Sequence, residues 1–266
     1  MKRIVLIDLK PAAYQLESIA IKQRDPVKAL ETLVSVYHTN GGLIPRPSES
    51  VFVLWVADHK LEDGYWRHRE LAEIGVTYKD GRTPNPSVNA VVDKIREYIP
   101  RHRIISEPGF EADDVIANLV AEWERQYSID ILTCDTDLLQ LVDRHQDTEV
   151  RWVDTMRYKP IIRDLPNALS YLEWKFKRPF NHPREIVEEK MENGDRSDSL
   201  PPGTDRGFID LRQPLIQCPY RYPGRPVFRP IHLGKYGEVE PIQHMSDHCP
   251  ILDPTKGCYL WRSHDH

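Results

Sequence analysis

An α/β fold with a mostly parallel central sheet flanked by helices is predicted by three features of the sequence. Short apolar runs at 3–8 (RIVLID), 51–57 (VFVLWVA), 129–134 (IDILTC) and 149–153 (EVRWV) alternate with segments of helical periodicity. The first two runs are apolar at consecutive rather than alternate positions, as in strands buried on both faces. Three of the runs end on or just before an aspartate: Asp8, Asp58 and Asp135. In open α/β sheets the carboxyl ends of the strands form the crevice where ligands bind, so one element type delivers acids to one edge three times.

Residues 26–38 (PVKALETLVSVYH) begin with proline, carry apolar residues at helical spacing and stop at Asn40-Gly41-Gly42, which predicts a helix. Residues 59–82 are charged, aromatic and basic, a short helix spans 86–98, and 102–105 form a brief strand. Residues 111–127 read as a helix with Ala112, Val115, Ile116, Leu119, Val120 and Trp123 as its apolar stripe. Asp135-Thr136-Asp137 then leads into a helix through Val142, and 165–177 and 183–192 are helical. Eight prolines fall in the last 55 residues, a density that disfavours regular helices and predicts an irregular C-terminal extension. The chain divides into 1–164, the domain that carries the strand-end acids; 165–211, a helical region; and 212–266, the extension.

Hydrophobic residues make up 40% of the 266 and charged residues 29%, which excludes disorder, collagen and coiled coil as the main architecture. No apolar run reaches the roughly 18 residues of a membrane-spanning helix. The opening MKRIVLIDLK reads as a first strand rather than a secretory signal. Cys134, Cys218, Cys249 and Cys258 do not make a disulfide scaffold in a chain this long, so a cytoplasmic, soluble protein with reduced thiols is expected. His244, His248, Cys249 and Cys258 match no strong zinc-finger spacing.

Nine carboxylates stand out: Asp8, Asp58, Glu111, Asp113, Asp114, Asp135, Asp137, Asp195 and Asp198. Removing nine negative charges from the net −5 leaves +4, a basic body around an acidic pit. Taken alone, Glu111 to Asp114 read as ordinary acids at a helix start, and Asp135-x-Asp137 as an ordinary cap. Gathered together, nine carboxylates repel one another until protons or cations neutralise them. Oxygen-only donors without a matching His or Cys set favour Mg²⁺ or Mn²⁺ over Zn²⁺, and two Mg²⁺ ions would suit in-line attack on a phosphodiester.

The stretches GFEADDVI (109–116) and DILTCDTDLLQLV (130–142) closely resemble the GYEADD and T-G-D-x-D-L-x-Q-L phrases of the 5′→3′ exonuclease and flap endonuclease family, with Cys134 in place of the usual glycine. That family includes the N-terminal nuclease domain of bacterial DNA polymerase I and phage 5′ nucleases, some called RNase H. NGDRSDSLPPG (193–203) resembles its G-D-x-S-D-N-I-P-G. The resemblance covers roughly residues 1–210. It implies a PIN-like 5′ nuclease fold with a degenerate helix–hairpin–helix-like, DNA-binding region at 165–211. It assigns Asp8, Asp58, Glu111, Asp113 and Asp135 mainly to a catalytic metal site, and Asp114, Asp137, Asp195 and Asp198 to a second. Arg69, Tyr78, Lys79 and Arg82 resemble the family's basic, substrate-binding R…YKxxR segment.

The implied cofactor is a pair of Mg²⁺ ions, with Mn²⁺ able to substitute. The implied partners are DNA with free or flapped 5′ ends, RNA–DNA hybrids such as primers, and replication proteins, those of a phage included. The chain departs from the family where D-G-x-x-L-x-x-R becomes Asp8-Leu9-Lys10-Pro11, and where the hairpin loses glycines and a lysine in PPGTDRGFIDL. Two other readings are a PIN-like ribonuclease, which shares the sheet and pocket with fewer acids, and a non-catalytic DNA-binding replication accessory protein, which would show broken ligands. Lys60, Arg67, Arg69, Lys79 and Arg82 with Tyr65, Trp66 and Tyr78 read either as phosphate and base contacts or as a solvated helix face.

Overall fold

The structure, a computed structural model, describes residues 3–23, 51–76, 79, 85–98, 104–154, 161–195, 202–203, 216–218, 252–253 and 258–259. The helix expected at 26–38 and the hairpin after Asp198 lie outside the described residues. In chain order the elements are β1 (Arg3–Asp8), α1 (Leu9–Gln23), β2 (Val51–Val56), α2 (Trp66–Glu73), α3 (Pro86–Tyr98), β3 (Ile104–Ile105), α4 (Ala112–Trp123) and β4 (Ser128–Thr133). There follow a 3₁₀ turn (Thr136–Leu141), β5 (Asp143–Arg144), β6 (Glu149–Asp154), β7 (Ile161–Arg163), α5 (Leu165–Phe176), a second 3₁₀ turn (Pro183–Glu185), α6 (Ile186–Asn193), and the short strands β8 (Leu252–Asp253) and β9 (Cys258–Tyr259).

Seven strands form one sheet in the order β3-β2-β1-β4-β6-β5, with β7 also on β6. β3, β2, β1, β4 and β6 are mutually parallel, and β5 and β7 run antiparallel to β6. The chain therefore builds outward from β1 through β2 to β3, then crosses back to place β4 on the other side of β1. The order reverses between β1 and β4, and ligands of such sheets bind at that point, outside the carboxyl ends of the strands.

Successive residues of β1 serve opposite layers. Ile4 and Leu6 pack with Leu54, Val56, Ile129 and Ile131 beneath Val115, Ile116, Leu119 and Trp123 of α4. Val5 and Ile7 pack with Leu132 and Val153 beneath Leu9, Ala12 and Ala13 of α1 and Val88 and Ile95 of α3. Burying a Leu or Ile side chain contributes about 1.5–3 kcal/mol, so these two layers supply most of the driving force.

The structure differs from the sequence reading at four places. α1 begins directly after β1 because Pro11 falls in the first turn, where its missing N–H costs nothing. Its apolar spacing at Leu9, Ala12, Ala13 and Leu16 is the helical signal, masked by the Lys10-Pro11 break in the family phrase. α4 spans Ala112–Trp123, shorter at both ends than 111–127, with Glu111 as its N-cap residue in extended conformation. β5 and β7 are too short to carry a period-2 pattern, so nothing local announced them. In the proline-rich stretch read as irregular, Leu252–Asp253 pairs antiparallel with Cys258–Tyr259. Upstream of that pair, Ile216 and Cys218 are buried against the sheet's helical layer. Among the described residues no helix is long and apolar enough to cross a membrane.

Candidate metal centre

Asp8 is the last residue of β1 and continues the Ile4–Leu6 face, towards α4. Its register places it beside Thr133 at the end of β4, whose hydroxyl donates to Asp8 Oδ2 at 2.9 Å. Asp58 follows β2, and its Oδ1 accepts the Ala112 amide at 2.8 Å, fixing the first turn of α4 against the sheet edge. That contact answers one of the free amides at a helix start. Asp135 follows β4 and caps the 3₁₀ turn by accepting the Asp137 amide at 2.9 Å. Its own amide donates to Thr133 Oγ1 at 3.0 Å, and its carbonyl accepts Trp152 Nε1 at 2.8 Å.

The electrostatics tie these acids together. Asp8 is 3% exposed; burial raises its pKa well above the usual carboxylate value, and the charges of Asp58 and Asp135 push the same way. Asp113 is raised by burial and by Asp135, Asp8 and Glu111. Asp135 is pushed up to about 6 by burial and the neighbouring Asp137. Like charges couple this strongly only at short range in a poorly solvated space. Asp8, Asp58, Asp113 and Asp135 therefore form one group, joined through Asp113 to Glu111 and through Asp135 to Asp137.

Lysines enter this group from segments distant in sequence. Lys79, with φ of 52°, reaches Glu111 Oε1 at 2.7 Å. Burial opposes the Glu111 charge, but Lys79, His68 and Arg67 outweigh it and hold its carboxyl far below the usual range. His68 Nε2 lies 3.5 Å from Glu111, and Lys10 Nζ lies 3.7 Å from Asp58. The Tyr65 hydroxyl donates to Asp58; burial, Asp58 and Glu111 all keep that phenol protonated. Lys190 of α6 bridges Asp137 and Asp195. Burial disfavours its ammonium, yet the two carboxylates raise its pKa above the usual lysine value.

Some of the anticipated residues are placed elsewhere. Asp114, 1% exposed, pairs with the buried Arg67, whose guanidinium also lies 3.8 Å from Cys218 Sγ. Arg67, grouped by sequence with phosphate contacts, is 3% exposed and serves the interior. Arg69 pairs with Asp63 and lies 4.7 Å over the Trp66 ring. Asp198, Tyr78 and Arg82 lie outside the described residues. Tyr65 and Trp66, grouped with base-stacking aromatics, are turned to Asp58 and to Gly109–Pro108. His68, Lys10, Thr133 and Lys190 carried no sequence signal as site residues, since isolated polar residues in helices and strand ends are ordinary.

Among the described residues no three His, Cys, Asp or Glu side chains stand close enough together to cage a metal ion as they are. The donor chemistry nevertheless fits a hard divalent cation. The donors are all oxygens, and Asp8, Asp113 and Asp135 resist ionisation chiefly through burial and one another, a penalty that a bound cation relieves.

Residues 12–164 match the family model described as 5′-3′ exonuclease, N-terminal resolvase-like domain. A thermostable DNA polymerase I of Thermus thermophilus is 27% identical over 212 residues, covering 75% of this chain and 22% of that protein. The 5′-3′ exonuclease of Mycoplasmopsis pulmonis is 31% identical over 142 residues, covering 52% of this chain and 42% of that protein. The chain thus spans about a fifth of the polymerase relative's length. A crystal structure of the bacteriophage T5 D15 flap endonuclease, in a pseudo-enzyme–product complex with DNA and metal ions, aligns with a TM-score of 0.48 at 13% identity, covering 80% of this chain and 86% of that one. The family model spans more than half of the 266 residues, and the chain belongs to the 5′-3′ exonuclease family with its N-terminal resolvase-like domain.

Proposed function

We propose that this chain is a divalent-metal-dependent 5′ nuclease that hydrolyses phosphodiesters in DNA with free or flapped 5′ ends, leaving 5′-phosphate and 3′-hydroxyl products. One observation carries the reading. Asp8 ends β1, and Asp58 and Asp135 follow the adjacent strands β2 and β4, at the edge where the strand order reverses, Thr133 linking Asp8 to the Asp135 amide and Asp58 gripping the Ala112 amide at the helix start that carries Asp113. Family membership and the names of the curated relatives, DNA polymerase I and 5′-3′ exonuclease, direct the substrate to DNA.

Asp8, Asp58, Glu111, Asp113 and Asp135 would hold one Mg²⁺, and Asp137, Asp195 and Asp198 a second; Asp114, engaged by Arg67, supports the helix start from behind. Bound ions would supply a water of lowered pKa and neutralise charge developing on the phosphoryl oxygens. The chain's own residues do the rest. Thr133 orients Asp8, Asp58 fixes the start of α4 by gripping the Ala112 amide, and Lys79 carries a positive charge to the rim beside Glu111. Once Glu111 is shared with a cation, the Lys79 ammonium is available to a phosphate, a contact that positions the backbone without reading sequence. In domain terms, 1–164 would carry the chemistry, 165–211 the grip on DNA, and 212–266 an appended segment.

The test is cleavage of 5′-labelled flap, nicked and RNA-primed substrates with Mg²⁺ and with chelator, alongside Asp135→Asn. Cutting that needs metal, fails in D135N and leaves DNA binding intact is expected. Digestion of flapped DNA by D135N at the parental rate overturns the assignment.

A further inference from the structure

Trp174, near the end of α5, is 67% exposed, the most exposed large apolar side chain among the described residues; Tyr14 follows at 38%. A single exposed aromatic is ordinary, but this one sits in a set. Tyr171 lies one turn back, its ring centroid 6.0 Å from that of Trp174 with the planes tilted by 30°. Lys177 Nζ stands 5.3 Å from the Trp174 ring centre, Lys175 Nζ 6.0 Å from that of Tyr171, and the Arg163 guanidinium 4.0 Å from the same ring. Within α5 the only acid is Glu173, and Arg178 beyond the helix is paired with Glu189. Aromatic rings with cations standing over them suit a ligand that is planar and anionic at once: aromatics take bases, and ammonium groups take phosphates.

This face runs into the acidic centre. Lys175 Nζ lies 3.4 Å from Thr136 Oγ1, and Thr136 stands between Asp135 and Asp137. Burial and the nearby Lys190 lower the Lys175 pKa, and the charges of Asp137, Asp195 and Asp135 act against that lowering.

We propose that Tyr171, Trp174, Lys175 and Lys177 form a subsite for single-stranded nucleic acid, with Trp174 stacking one unpaired base and the two lysines holding its neighbouring phosphates on the way to Asp135 and Asp137. The subsite rests on the nuclease reading. It adds to that reading where the unpaired segment of the substrate lies. The cations standing over the rings favour a polyanion over an apolar protein partner.

The test uses the full chain in chelator, so that no cleavage enters. Fluorescence anisotropy compares a duplex bearing a single-stranded 5′ tail with the same duplex blunt-ended. Trp174→Ala should weaken binding of the tailed duplex roughly tenfold and leave the blunt duplex unchanged. Trp174→Phe, which keeps a stacking face, should recover most of the loss. Trp174→Gln reads the same contrast should the alanine variant fold poorly. Unchanged affinity for tailed DNA, as a protein-docking face would give, overturns the subsite, and so does equal loss on tailed and blunt duplexes. Cleavage by the parental protein in Mg²⁺ is scored separately. Tail-selective binding through Trp174 without any cleavage overturns the nuclease reading and keeps the subsite.

Discussion

Gly109 shows how a single residue sets the centre. Its φ of 83° lies in the left-handed region, and a Cβ there would overlap the Trp66 indole. Its amide donates to the His59 carbonyl at 2.7 Å, and its carbonyl accepts the Trp66 amide at 2.9 Å. The loop before α4 is thereby fixed two residues ahead of Glu111. Gly109→Ala is expected to cost about 2–3 kcal/mol through backbone strain and the clash, read as a lowered thermal midpoint, and to lower cleavage in step. This glycine was legible in the GFEADD phrase as part of a motif; its reason, the indole lying against it, was not. Lys190 was less legible still. In IVEEKMEN it looks like one more charge on a solvated helix, yet it is 7% exposed and bridges Asp137 to Asp195. Its partners are 53 and five residues away, and nothing local marks such a pairing.

At the scale of elements, Tyr65, Arg67, His68 and Lys79 clasp the end of β2 and the start of α4. Tyr65 meets Asp58, Arg67 meets Asp114, and His68 and Lys79 meet Glu111. The Arg67–Asp114 pair is the buried member, with side chains 4% and 1% exposed. Removing one partner of such a pair leaves a charge without compensation, whereas replacing both with apolar groups of similar size is often neutral. Arg67→Met should destabilise the fold by about 3–5 kcal/mol, and Arg67→Met with Asp114→Leu should recover most of the loss. A denaturant double-mutant cycle measures both; losses that simply add would show the pair to be uncoupled. The strands that carry the acids were readable because central parallel strands are apolar on both faces, and the acids were readable because they sit at the strand ends. The clasp was not, since its residues look like a solvated basic helix face until α4 is seen against them.

Across the whole molecule the buried acids differ in their partners. On the α1–α3 face of the sheet, Asp130 is gripped by Arg3 at 2.9 Å and by Arg151 at 2.7 and 2.9 Å, and two arginines serve one carboxylate. Burial still pushes the Asp130 pKa up to about 7 against the Arg3 charge; at the carboxyl edge, Asp8, Asp113 and Asp135 are likewise held above their usual pKa, there by burial and by other acids. A carboxylate with a raised folded-state pKa binds its proton more tightly folded than unfolded. Its contribution is full below the unfolded value and is lost as pH rises through the folded one. For Asp135 that window runs from about 4 to about 6, and for Asp8 and Asp113 it extends upward from the same start. Glu111 has the opposite sign: Lys79 overcomes the burial penalty and lowers its pKa, so its contribution holds above the unfolded value and is lost only in stronger acid. Between pH 5 and 8 the raised acids, Asp130 among them, dominate. In chelator the thermal midpoint should therefore fall as pH rises across this range. Millimolar Mg²⁺ at pH 8 should raise it again, because a ligand bound only by the folded state stabilises by mass action. Asp135→Asn should raise the midpoint in chelator at pH 8, flatten its pH dependence, and reduce the gain from Mg²⁺. A midpoint in chelator that rises from pH 5 to 8, or a D135N variant with an undiminished response to Mg²⁺, would mean that these carboxylates do not share one poorly neutralised pocket.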